Sequence, residues 1–66
     1  MNPRSPTVTL SADEAARVRN VMREHGIAAA GKILGNISKP TLMKAAAETA
    51  IARLSAQVIR RSLDDL

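Results

Sequence analysis

The fold of this chain is decided by residues 26–42, GIAAAGKILGNISKPTL. Small and apolar residues over 27–34 predict a short helix that another helix can approach closely, and Gly35 ends it. Ser38 is expected as the N-cap of the next helix. Pro40 is tolerated there because the first amides of a helix have no partner inside it. The segment therefore predicts two short helices joined by a tight glycine turn.

A first helix is expected over residues 12–25. Ser11 and Glu14 have the spacing of a capping box, in which the serine hydroxyl and the glutamate each accept a hydrogen bond from the other residue's amide. The helix is expected to stop at Gly26, because glycine suits the left-handed position after a helix end.

The chain divides into two parts. Residues 1–10 are expected to form a flexible or extended N-terminal arm, and residues 11–66 a single folded domain. Prolines keep the first six residues out of a helix. The stretch TVTL at 7–10 alternates β-branched polar with apolar side chains, which is typical of a short strand and equally of a plain extended lead-in.

The segment after residue 47 allows two interpretations. An apolar i,i+4 rhythm permits one unbroken helix to residue 63, whereas Ser55 is a suitable N-cap for a separate helix. The sequence leaves both helix and loop open for residues 48–55. We favour a break and a last helix over about 55–64. Its expected buried side, and the expected dimer surface, consists of Val58, Ile59 and Leu63.

Composition indicates a small hydrophobic core and a basic surface that suits an acidic partner. The 66 residues include no cysteine and no aromatic side chain, so no disulfide holds the chain and its core rests on aliphatic residues. Such a core favours a homodimer, because an interface between subunits adds the buried apolar surface that one chain lacks. The net charge of +4 suits a polyanionic partner. All of the excess lies in residues 1–47, where seven Lys or Arg face three acids.

Residues 26–44 resemble the helix-turn-helix of small bacterial and phage transcription regulators. Gly31 and Gly35 stand four residues apart, as the small residue and the turn glycine of that unit do. The sequence Ser-Lys-Pro-Thr-Leu looks like the Ser-Arg-x-Thr-Leu opening of many recognition helices. The chain departs from the pattern in two places, because alanine is usual at position 31 and Asn36 is an extra turn residue. In size the chain also resembles repressors that control anti-CRISPR operons.

Together, the helix signals and this resemblance predict an all-α fold, a compact helix-turn-helix domain of four short helices with an extended N-terminal arm. The resemblance also implies a dimeric repressor that places the helix starting near Ser38 in the major groove of a palindromic operator in double-stranded DNA. Asn36 would read an adenine or hold the turn, and Arg4 on the arm would enter the minor groove. The expected DNA contacts are Asn36, Ser38, Lys39, Thr41, Lys44 and Arg4.

Two other functions fit parts of the sequence. A ribbon-helix-helix repressor would read DNA with residues 7–10, since a short strand followed by a capped helix resembles the opening of that fold. A small helical protein that binds or inhibits another protein would use Met43 and the alanine-rich faces. Tight protein binding, with DNA binding that disappears at physiological salt, would favour the second of these functions.

No catalytic, metal or cofactor site is expected. The chain has a single histidine, His25, which we assign a structural role at a helix end, and it lacks a glycine-rich phosphate loop. It also lacks an apolar stretch long enough for a membrane span and the pattern of a signal peptide. These features predict a cytoplasmic protein that is not an enzyme and binds no small molecule.

Overall fold

The computed structural model describes residues 7–66 of the chain. Within this range the order of elements is β1 (Thr7–Val8), α1 (Ala12–Ile33), α2 (Lys39–Ala46), β2 (Ile51–Ala52) and α3 (Arg53–Asp64). The expected predominance of helix is confirmed. The expected number of four helices is wrong, because the described chain forms three helices and a small two-stranded sheet.

The count differs because α1 is a kinked helix. Gly26 interrupts it with φ 84° and ψ 161°, a backbone conformation that is open to glycine almost alone. The helical segments on either side adjoin at this residue without a loop, so the two expected helices form one element. At its start, the amide of Ser11 donates to Glu14 Oε1 at 2.9 Å and the amide of Glu14 donates to Ser11 Oγ at 3.2 Å. The capping box is therefore confirmed.

Gly26→Ala is expected to lower the free energy of unfolding by about 1–3 kcal/mol, since the kink requires a conformation that alanine rarely adopts. Apart from residue 26 itself, its chain neighbours and the backbone of its own helix, nothing in the described residues lies within 4 Å of the added Cβ, so the loss comes from the backbone conformation. Urea denaturation of both chains measures it. An unchanged midpoint would mean that α1 can run straight through residue 26.

Residues 7–10 of the expected arm belong to the folded domain. β1 pairs antiparallel with β2, with Thr7 opposite Ala52 and Val8 opposite Ile51. Leu10, only 2 % exposed, is one of the largest buried side chains. The core thus includes residues from the N-terminal strand segment to the last helix. Its main members are Leu10, Val18, Leu34, Leu42, Ile51, Ile59 and Leu63.

The connection after α2 is a loop followed by a strand. Glu48 has a positive φ of 57°, the chain then forms β2, and α3 begins at Arg53. The favoured break after α2 is confirmed, and the last helix starts slightly before the expected position 55. β2 was not predicted, because two residues are too few to show an alternating pattern.

Two arginines of α1 bind the C-terminal ends of the other helices. Arg17 Nη2 donates to the carbonyl oxygen of Leu63 at 2.7 Å, and Arg19 Nη1 donates to that of Ala46 at 2.6 Å. The last carbonyls of a helix have no partner within it and carry the negative end of its dipole. Each guanidinium therefore adds a charged donor to a carbonyl at a helix end and fixes that end against α1.

An ion pair also joins α1 to α3. Arg60 Nε donates to Glu14 Oε2 at 2.8 Å. The hydrogen bond from the backbone of Ser11 is the main cause that holds the pKa of Glu14 below its usual 4.5, and Arg60 lowers the pKa further against the opposing effect of partial burial. The carboxylate form of Glu14 is therefore the form that stabilises the fold.

Acidification is expected to lower the stability that Glu14 supplies. Its pKa is lower in the folded chain than in the unfolded chain, so the contribution is complete above about pH 4.5 and is lost as pH falls through the folded pKa. Urea midpoints between pH 7 and pH 3 measure the loss, which should be smaller in Glu14→Gln than in the exposed control Glu24→Gln. Equal acid sensitivity in the two variants would contradict this role of Glu14.

Candidate nucleic-acid interface

The turn between α1 and α2 is built on Gly31. The amide of Ile37 donates to the carbonyl oxygen of Gly31 at 2.9 Å, which brings the chain after the turn back onto α1. A Cβ on Gly31 would lie only 2.6 Å from the carbonyl oxygen of Ile37, closer than side-chain carbons come to backbone oxygens. The close approach of the two segments therefore requires glycine at position 31.

The direction of the turn comes from two consecutive residues with positive φ. Gly35 has φ 103° and Asn36 has φ 60°, a left-handed conformation that asparagine tolerates better than most residues. Asn36 is exposed beside the start of α2. Its backbone thus forms the turn, while its side chain is open to solvent.

α2 has one buried and one open face. Leu42, Ala45 and Ala46 pack into the core. The exposed side chains on α2 and its C-cap are Lys39, Pro40, Met43, Lys44 and Ala47. The open face therefore combines two cations with three apolar side chains and carries no acid.

The N-cap position of Ser38 is confirmed, but its expected capping bond is absent. The backbone of Ser38 is extended, and its side chain makes no hydrogen bond to an amide of α2. Instead, Ser38 Oγ donates to Thr41 Oγ1 at 2.9 Å. Thr41 is half-buried, so this pair ties the start of the helix together. Arg4, the remaining expected contact, lies outside the described residues.

The cations of residues 7–66 fall into two groups. Three arginines are bound within the chain, namely Arg17, Arg19 and Arg60. The other six side chains make no hydrogen bond or ion pair within this range: Arg23, Lys32, Lys39, Lys44, Arg53 and Arg61. The three lysines of this second group lie on the two helices that flank the turn, and residues 26–47 contain no acid at all.

The expected dimer residues are placed differently from the prediction. Ile59 is fully buried and Leu63 is 2 % exposed, because both side chains belong to the core of a single chain. They are therefore unavailable to a second subunit. Val58 is 40 % exposed, and Leu54, one turn earlier on α3, is 73 % exposed. The open apolar surface of α3 thus consists of Leu54 and Val58.

The described residues form no other recognisable site. Residues 7–66 enclose no pocket and hold no group of three side chains suited to bind a metal ion. Among the helices described, none combines the length and the apolar character that crossing a membrane requires. Comparisons with protein families, with curated proteins and with solved structures find no match to this chain.

Proposed function

We propose that this chain is a cytoplasmic, sequence-specific DNA-binding regulator, a dimeric repressor that places α2 in the major groove of a palindromic operator. The observation that carries the proposal is the acid-free segment 26–47. It folds as two helices across a glycine turn and presents three unpaired lysines. A polyanion is the partner that such a segment attracts, and the major groove of DNA is wide enough for a helix.

The two ends of α2 differ in what they offer to DNA. Lys39 opens the helix and Lys44 lies in its last turn, so the two cations can meet phosphates on both sides of a groove. The hydrogen bond from Arg19 to Ala46 fixes the far end of α2 against α1. A helix held in this way presents its open face as a rigid unit.

A second copy of the chain fits the open surface of α3. Leu54 and Val58 are exposed one turn apart. α3 begins with Arg53 and ends with Asp64, and each of these charges is unfavourable at its end of the helix dipole, although Arg61 in the last turn is favourable. In an antiparallel pair of α3 helices, Arg53 of each copy would lie near Asp64 of the other copy, and Leu54 would be covered. The two-fold symmetry would present two α2 helices to half-sites about 34 Å apart.

The alternatives receive less support. In a ribbon-helix-helix repressor the N-terminal strand pairs with the same strand of a second chain. Here Thr7 and Val8 pair with β2 of their own chain. A protein-binding inhibitor would use the exposed Met43 and the alanine-rich faces, but Ala45 and Ala46 of α2 are buried in the core.

Fluorescence anisotropy tests the DNA proposal. The chain is titrated against the duplex upstream of its own gene and against a scrambled duplex, at several salt concentrations. We expect preference for the upstream DNA and an affinity that falls steeply with salt, because phosphate contacts release counterions. Equal weak binding that vanishes near physiological salt would contradict the proposal and favour a protein partner.

Sedimentation velocity tests the dimer. Leu54→Ser is expected to shift the chain from dimer to monomer, because it removes the most exposed apolar side chain of α3. Leu66→Ser is the matched control, since Leu66 is also exposed, at 67 %, but lies beyond α3. A monomeric unaltered chain, or equal effects of both substitutions, would contradict this interface.

A further inference from the structure

We infer that α2 recognises C5-methyl groups of pyrimidines in the major groove, with Met43 as the main contact. The inference rests on the proposed function and names the chemical feature that the helix would read. On α2 and its N-cap, the DNA contacts expected from the sequence are Lys39, Lys44, Ser38 and Thr41, and Met43 is not among them.

Most of the open face is apolar. At 100° per residue, the direction opposite the buried Leu42, Ala45 and Ala46 falls between Pro40 and Lys44, and Ala47 and then Met43 follow on one side. Met43 is 49 % exposed, the most exposed large apolar side chain of α2. Only one of these four outward side chains, the lysine, carries a hydrogen-bond donor.

The polar groups that normally identify bases are missing or already bonded. Residues 39–47, KPTLMKAAA, contain no Arg, Asn or Gln, the side chains that make paired hydrogen bonds to guanine or adenine. Ser38 and Thr41 are bonded to each other. Lysine is a flexible point charge and discriminates weakly between base edges. Hydrogen bonding therefore supplies little base selectivity on this helix.

An apolar side chain gains most from the apolar feature of the groove. Every base edge in the major groove is polar except for the methyl group of thymine, which 5-methylcytosine shares. Covering one methyl removes apolar surface from water and is worth about fourfold in affinity. With Lys39 and Lys44 exposed on either side of Met43, phosphate contacts would hold this side chain against the base edges.

The test uses a duplex selected by the protein from a random library. Each thymine of the selected site is replaced in turn by uracil, which keeps the base pair and removes only the methyl. We expect one or two positions per half-site at which uracil weakens binding about fourfold. At those positions Met43→Ala should bind thymine and uracil duplexes equally, whereas Met43→Leu should still distinguish them. Ile27→Ala, which removes an exposed apolar side chain outside α2, should leave the ratio unchanged.

A further arm separates the two sources of the methyl group. At a sensitive position the T·A pair is replaced by C·G and by 5-methylcytosine·G. Restored affinity with 5-methylcytosine would mean that the methyl alone is read, and loss with both would mean that the thymine pair is read as a whole. Selective DNA binding that no uracil substitution alters would overturn the inference and leave the proposed function standing. Failure to select any duplex would overturn both.

Discussion

Gly31→Ala is expected to lower the free energy of unfolding by about 2–3 kcal/mol, which corresponds to a fall of about 10–20 °C in the melting temperature of a domain this small. The added Cβ would lie 2.6 Å from the carbonyl oxygen of Ile37, a backbone atom that cannot rotate away. The turn would have to open, and the hydrogen bond from Ile37 to Gly31 would lengthen. Thermal denaturation followed by circular dichroism measures the change.

The control is the reverse substitution two positions earlier in the same helix. Ala29 is exposed, and Ala29→Gly should cost about 0.5–1 kcal/mol through helix propensity alone. Alanine is thus expected to be the better residue at position 29 and the worse one at position 31. A Gly31→Ala chain as stable as the unaltered one would show that α1 and the turn are not in close contact.

The double variant Lys39→Ala with Lys44→Ala is expected to weaken binding to the operator about 10- to 100-fold, because two charged contacts to phosphates are lost. Both lysine side chains are exposed and make no hydrogen bond or ion pair within residues 7–66, so the fold should be unaffected. The slope of log affinity against log salt should also fall by about two, one for each phosphate contact. Anisotropy across a salt series gives both quantities.

A matched control removes the same amount of positive charge at positions outside α2. Arg23→Ala with Arg61→Ala also removes two unpaired cations, but neither lies on α2. A much smaller change is expected in affinity and in slope. If the two double variants behave alike, the attraction comes from net charge, and α2 is not the helix that meets the DNA.

Local signals in the sequence were sufficient for several parts of the fold. The capping box at Ser11, the interruption at Gly26 and the N-cap position at Ser38 each depend on a few neighbouring residues, and all three are found. The contacts of Arg17 and Arg19 were not predicted. They join residues 46 and 27 positions apart, and no local pattern specifies such a partner.

α3 illustrates the same limit at the candidate interface. The sequence placed Ile59 and Leu63 on its buried side, where the structure has them, but it added Val58, which is 40 % exposed. It also offered all three as a dimer surface, because an apolar side chain fits an intrachain core and a subunit interface equally well in the sequence. Met43 was expected as a contact only for a protein partner, and the structure leaves it 49 % exposed on the open face of α2.

The contacts that link the beginning of the described chain to its end affect how fast it folds. The pair of Glu14 with Arg60 spans 46 residues, and β1 pairs with β2 although α1 and α2 lie between the two strands in the sequence. Helical proteins with mostly local contacts fold in microseconds to milliseconds, whereas distant contacts must first overcome the entropy of loop closure. We therefore expect this chain to refold more slowly than a helical bundle of equal length, at a rate set by the docking of α3.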